Sequence, residues 1–219
     1  MIYALLKHVF LGPLLRLLGR PEIVGAAYVP SSGPVILAGN HVTFADSLYL
    51  ALAVRRPITF VAKNEYFTGT GLIGRLNRWF YTSVGQVPID RGGGDAAAGA
   101  LRAATRILDG GGIWGIYPEG TRSPDGRLYK GRTGVMRVAL RTGAPVIPVV
   151  VTGTETVNPR PGRWRFGRVR IEFRPQLDLL RFRELADHPT IVRSATDQLM
   201  AELHRTSGQE YVDSYARDR

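Results

Sequence analysis

Val35-Ile-Leu-Ala-Gly39-Asn40-His41-Val-Thr-Phe-Ala-Asp46-Ser-Leu-Tyr-Leu50 is the stretch whose reading decides the architecture. Residues 35–39 form an unbroken apolar run bounded by turn-forming residues, the pattern of a strand buried on both faces. Asn40 and His41 interrupt it, and over 44–54 the apolar positions fall at helical spacing. The same strand-then-helix alternation recurs along the chain. Further strand candidates lie at 58–62, 83–89, 113–117, 146–151 and 169–173, rich in Val and Ile and bounded by Gly or Pro. Helical stretches lie at 66–80, 95–108, 133–141 and 190–206. This order predicts an α/β single domain with a central, mostly parallel sheet flanked by helices.

A chain of 219 residues suffices for one such domain with a sizeable core. Its formal net charge of +11 is almost wholly arginine, since Lys7, Lys63 and Lys130 are the only lysines. The excess suits a basic solvated face, nucleic acid, anionic lipid headgroups or phosphorylated substrates, and composition does not choose among them. The chain has no cysteine, which excludes disulfides, thiolate nucleophiles and cysteine-based zinc sites. Its four histidines (His8, His41, His188 and His204) leave little for a histidine-rich metal centre.

Residues 1–19 are apolar but interrupted by Lys7, His8, Pro13 and Arg16. They fit neither a spanning helix, which needs roughly 20 apolar residues, nor a signal peptide. An amphipathic helix in the membrane interface, with Lys7 and Arg16 snorkelling to headgroups, fits the pattern; so does a helix packed on the protein's own core. Segment 66–80 has the same two readings, an interfacial element or an ordinary amphipathic helix. The expected organisation is therefore an N-terminal membrane-associating helix (1–20), a catalytic domain (21–207) and a polar, fraying C-terminal tail (208–219).

His41 and Asp46, five apart, do not share a face of a regular helix, but they meet across a strand-to-helix turn. There a carboxylate fixes the imidazole tautomer and leaves the other ring nitrogen as a base near neutrality. Thr43 and Asp46 equally suit a capping box, which would leave His41 an ordinary loop residue. The run Tyr117-Pro118-Glu119-Gly120-Thr121-Arg122-Ser123 ends another strand candidate and exposes Glu119 and Arg122 at the strand's C-terminal edge, where open α/β sheets bind ligands. Arginine there clamps phosphate, and glutamate accepts from hydroxyls. Gly85 to Arg91 and Val146-Ile147-Pro148-Val149 supply two further strand ends.

Taken in order, these four blocks resemble those of the glycerolipid acyltransferase family, specifically its 1-acyl-glycerol-3-phosphate acyltransferase (PlsC-like) branch. Asn40-His41-x4-Asp46 resembles the first, Gly85–Arg91 the second, Pro118–Ser123 the third and Val146–Val149 the fourth. The resemblance implies that His41 deprotonates an acceptor hydroxyl while Asp46 orients it. The alkoxide then attacks the thioester of an acyl-CoA or acyl-carrier-protein donor. It further implies that Arg91, Glu119, Gly120, Thr121, Arg122 and Lys63 hold the glycerol phosphate of a lysophosphatidate acceptor. Neither a cofactor nor a metal is called for. The implied partners are a lipid surface at the cytoplasmic face of the membrane and the two substrates, with no nucleic acid. Tyr117, where phenylalanine is commoner, and the Val42-Thr43-Phe44 spacer depart from the usual pattern and bear on acceptor identity.

Other motifs point elsewhere and fail. Gly69-x-Gly71-x-x-Gly74 matches a dinucleotide fingerprint, with Asp90 downstream, but residues 63–68 separate it from the nearest strand. Gly92-Gly93-Gly94 has no following Walker lysine, and no G-x-S-x-G elbow is present. Another lysolipid acceptor within the same superfamily is the second reading. A non-catalytic basic membrane-binding protein is the alternative of a different class, and mere binding does not require a His41–Asp46 pair.

Overall fold

Residues 35–39 form the middle strand of the main sheet, with every residue buried. The structure, a computed structural model, describes residues 5–63, 68–71, 74–75, 87–89, 96–160, 162–185 and 188–216. Its strands are β1 (Glu22–Val24), β2 (Val35–Gly39), β3 (Ile58–Lys63), β4 (Val87–Ile89), β5 (Ile113–Ile116), β6 (Leu128–Tyr129), β7 (Val146–Thr152), β8 (Arg170–Phe173) and β9 (Tyr211–Val212). Seven of them form one sheet in the order β1-β8-β7-β2-β5-β3-β4, and β6 pairs with β9 apart from it. β2 lies between β5 and β7, parallel to both, with Leu37 opposite Gly115 on one side and Ile147 on the other. Among the described residues, only β7 and β8 are antiparallel in the large sheet.

The helices are α1 (Leu11–Gly19), α2 (Ala45–Ala53), α3 (Ala96–Asp109), α4 (Gly134–Thr142), α5 (Thr154–Val157) and α6 (Pro189–Ser207). Side chains alternate along β2. Ile36 and Ala38 join one core with α3, α4 and α6; Val35 and Leu37 join a second core with α1 and α2. Helices on both faces bury every residue of β2, so its sequence shows a continuous apolar run without period-two alternation. α6 begins with proline, buries Val192, Ala195, Thr196, Leu199, Met200 and Leu203 at spacings of three, one, three, one and three, and stops at Gly208 in the left-handed region.

Of the two readings of the N-terminus, a helix packed on the protein's own core describes the inner side of α1. Gly12, Leu15 and Gly19 bury one stripe of α1 against the domain, and the Tyr49 hydroxyl donates to the Leu15 carbonyl at 3.0 Å. Burial pushes that phenol up to about 12. Phe10 and Leu17, 60% and 61% exposed, stand on the outer side together with Val9 and Leu14. Lys7 does not snorkel outward as its sequence position suggested. It turns inward, its ammonium donating to the Val54 carbonyl, and burial lowers its pKa. No helix among the described residues is long and apolar enough to cross a membrane.

The tail differs from the expected fraying. Leu128 and Tyr129 of β6 pair in parallel with Tyr211 and Val212 of β9, and Lys130 binds Asp213 at 2.8 Å. Short strands such as these, and β1, carry too few residues for a sequence signal. Most of the 66–80 helix candidate and residues 83–86 lie outside the described residues.

Gly19 is required by close approach, because a Cβ there would sit 2.2 Å from the buried Tyr49 hydroxyl. Gly19→Ala should lower unfolding free energy by roughly 1–3 kcal/mol. Urea denaturation and faster limited proteolysis within 1–20 would register it.

Candidate active site

β5, β2 and β7 are adjacent and parallel, so their C-terminal ends open onto one edge of the sheet. β2 ends in an unusual way. The Asn40 side-chain amide takes the place of backbone in the ladder, its Oδ1 accepting from Val151 N–H at 2.9 Å and its Nδ2 donating to the Val151 carbonyl at 3.0 Å. Nδ2 also donates to Gln209 Oε1 at 2.9 Å. The backbone is thereby released from the sheet one residue before His41.

Asp46, in the first turn of α2, has no exposed surface. Its Oδ2 accepts from Val42 N–H at 2.7 Å, from Thr43 N–H at 2.8 Å and from His41 Nδ1 at 2.9 Å. Its Oδ1 accepts from the hydroxyl of Thr154, the first residue of α5 after β7. The capping and dyad readings are therefore one structure: the same oxygen takes up a backbone N–H of the turn and fixes the imidazole. A carboxylate so placed only accepts, so Nδ1 carries the hydrogen and Nε2 presents its lone pair outward. Nε2 meets no hydrogen-bond partner among the described residues, and the His41 side chain is 16% exposed.

The ring is held in its plane as well as in its tautomer. Tyr117 stacks on His41 with centroids 3.8 Å apart and planes 8° from parallel, and Phe60 lies beyond it. The Tyr117 hydroxyl shares a 2.8 Å hydrogen bond with Ser47, a bond that phenylalanine would not make. Burial holds that phenol well above its ordinary range, so it stays neutral.

Glu119 was expected to face an acceptor, and instead it braces the site from beneath. It is buried, with Oε1 accepting from His41 N–H at 3.2 Å and Oε2 from Tyr129 N–H at 2.9 Å. The His41 carbonyl accepts from Ser123 N–H at 2.7 Å, so the loops after β2 and β5 are strapped together twice. Burial raises the Glu119 pKa to about 7 against the opposing pull of the two N–H groups, and nearby Asp46 adds to the rise. Gly120 turns the chain at φ +81°, and a Cβ there would meet the Arg132 side chain at 2.8 Å.

Thr121 is half-buried and Arg122 is exposed at the rim, with no ion-pair partner among the described residues. Arg91 and the rest of 90–95 lie outside the described residues; Lys63 ends β3, and its side chain lies outside them too. His41, Asp46 and Glu119 are thus brought together, with Gly120 following directly. Thr154, Tyr117, Ser47 and Gln209 join them without having been expected. Thr154 and Gln209 stand 108 and 169 residues from their partners, and no local pattern marks them.

Residues 20–152 match the family model described as Acyltransferase, and the chain belongs to that family. It is 32% identical over 153 residues to a chloroplastic 1-acyl-sn-glycerol-3-phosphate acyltransferase of Arabidopsis thaliana, covering 68% of this chain and 41% of that protein. A Salmonella typhimurium protein of the same name is 30% identical over 211 residues, covering 90% and 80%. The crystal structure of the 1-acyl-sn-glycerophosphate acyltransferase PlsC from Thermotoga maritima superposes with a TM-score of 0.62 at 25% identity, covering 83% of this chain and 69% of that one. The chain spans about two fifths to one half of the length of the plant relatives it matches.

Because the folded pKa of Glu119 lies above its ordinary 4.5, folding takes up a proton between about pH 4.5 and 7. The stability this group contributes is full below pH 4.5 and is lost as pH rises through 7. Urea unfolding should therefore show wild type losing up to about 3 kcal/mol between about pH 5 and pH 8 from this residue. Glu119→Gln should flatten that component, while being less stable at pH 5 because its amide faces a backbone N–H.

Proposed function

We propose that this protein transfers a fatty acyl group from an acyl thioester to the free hydroxyl of a 1-acyl-glycerol-3-phosphate. The observation that carries the reading is the His41–Asp46 pair at the C-terminal end of β2, with Nε2 turned outward. Nε2 takes the proton of the acceptor hydroxyl as its oxygen bonds to the thioester carbonyl carbon. The tetrahedral intermediate collapses with cleavage of the carbon–sulfur bond, and the imidazolium returns the proton to the departing thiolate. Buried Asp46 stabilises the imidazolium and, with Tyr117, keeps the ring from turning.

The family membership and the names of the relatives support this substrate class. Phosphate recognition falls to Arg122 at the rim, with Arg91 of the second resembled block and Lys63, which lies outside the blocks, as further cations. Gly120 and Thr121 line the turn between Glu119 and Arg122. Glu119 acts through its hold on the His41 backbone. The exposed face of α1 and Phe44, 38% exposed three residues from His41, suit an acceptor that stays in a lipid surface. We place that surface on the cytoplasmic side, where CoA and carrier-protein thioesters are made. The second reading, a different lysolipid acceptor, draws on Tyr117 and the 42–44 spacer.

Thiol release from a panel of acyl-CoAs and acyl-carrier-protein thioesters, with detergent-dispersed lysophosphatidate, tests the proposal. Release should require the acceptor and vanish in His41→Ala. Asp46→Asn should retain the fold and lower kcat by roughly 10³–10⁴, the scale seen when a dyad carboxylate no longer sets the tautomer. Acceptor-independent release, or undiminished release in His41→Ala, would overturn the dyad mechanism.

A further inference from the structure

Segment 158–168, Asn-Pro-Arg-Pro-Gly-Arg-Trp-Arg-Phe-Gly-Arg, has four arginines and no acidic residue, and nothing in the mechanism uses it. It is a built loop. Buried Asn158 donates from Nδ2 to the carbonyls of Arg160 and Arg163, at 3.2 and 3.0 Å. Alternate amides then tie the chain down: Arg165 N–H to Val157 at 2.8 Å, Gly167 N–H to Leu18 at 2.8 Å and Val169 N–H to Gly19 at 2.7 Å. Alternate donation marks an extended run, in which Trp164 and Phe166 share one side. They are 37% and 67% exposed. Two of the three anchors are carbonyls at the end of α1, so the loop continues the surface that carries Phe10, Leu14 and Leu17.

Beside this junction lies a cavity of about 300 Å³ lined by Arg20, Glu22, Thr152, Arg168, Val169 and Arg170. Arg170 is paired with Glu22 and Glu172, at 2.5 and 3.1 Å. Arg20 and Arg168 have no ion-pair partner among the described residues. Arg20 also holds the left-handed C-cap of α1 at φ 40°, a position glycine usually fills. Thr152 is two residues before Thr154, which binds Asp46, so the cavity opens on the same sheet edge as the dyad.

We infer that the 158–168 loop and the Arg20–Arg168–Arg170 cavity form a second docking element for an anionic phospholipid bilayer. Trp164 and Phe166 enter the interface and the cavity receives a headgroup phosphate. The inference rests on the reading above that the outer face of α1 meets lipid. Arginines alternating with aromatics match a surface that is negative outside and apolar beneath. An acidic protein partner would complement the charge but leave Trp164 and Phe166 without a role.

The test is co-sedimentation with vesicles of phosphatidylcholine alone or with about 30% phosphatidylglycerol. Wild type should bind the anionic vesicles at least tenfold more tightly. Arg163→Gln/Arg165→Gln/Arg168→Gln should bind them roughly a hundredfold more weakly than wild type. Its turnover in detergent micelles should be unchanged.

Since the chain has no cysteine, Phe166→Cys bearing an environment-sensitive fluorophore reports insertion without a background label. Its emission should rise and shift blue on anionic vesicles, while Asp109→Cys, which ends α3 at the opposite sheet edge, should not respond. Equal binding to both vesicle types, or a silent label at 166, overturns the inference. Leu14→Ser/Leu17→Ser separates the two readings: if it abolishes all vesicle binding while the arginine variant binds like wild type, α1 alone is the membrane contact. If neither variant changes binding, the lipid-facing reading of α1 falls as well.

Discussion

A carboxylate with no exposed surface is tolerated only where its charge is matched by donors, and Asp46 organises much of the molecule around that requirement. Its two oxygens draw in the backbone of 42–43, the His41 ring and the Thr154 hydroxyl, which belong to segments following β2 and β7. The sheet brings those segments together by running β2 parallel to β7, so the two strands end at one edge. Removing any donor leaves part of a buried charge unmatched, which costs more than the lost hydrogen bond alone. The imidazole is thus oriented by the same interaction that closes the fold at this edge.

Glu119 plays a complementary part on the β5 side. It is buried too, but its two backbone donors do not overcome desolvation, and its pKa rises to about 7. Asp46 and Glu119 are therefore two buried carboxyl groups in different roles. One aligns a ring, and the other straps the loop that carries the ring to β6. That division lets two buried carboxyl groups engage His41 at different points, Asp46 its ring and Glu119 its backbone N–H.

Much of this was legible from residues alone. The 35–39 strand, the helix after it and the His41–Asp46 turn are local, and locally encoded features survive reading one residue at a time. Both geometries expected of Asp46 occur together because one carboxylate oxygen accepts from the backbone of the turn and from the ring. Glu119 was placed correctly at a strand end but given a substrate-facing role, since a sequence does not show which backbone amides will converge on a side chain. Lys7 misled for a related reason. A cation in an apolar helix ordinarily reaches for water, and here the Val54 carbonyl offered an acceptor inside. Thr154, Gln209 and the β6–β9 pair were illegible because each depends on a partner far along the chain.

The contact between Asn40 and Gln209 spans 169 positions, and it also sets an order in time. At roughly 5–20 residues per second, the ribosome makes Gln209 about 10–30 s after Asn40. α1, residues 11–19, is made before that interval opens. The amide that ends β2 acquires its last partner, and the β6 strand that holds Glu119 gains its neighbour β9, only at the close of it. The contacts around His41 and Glu119 are therefore completed only once residues 209–212 have been made, long after α1.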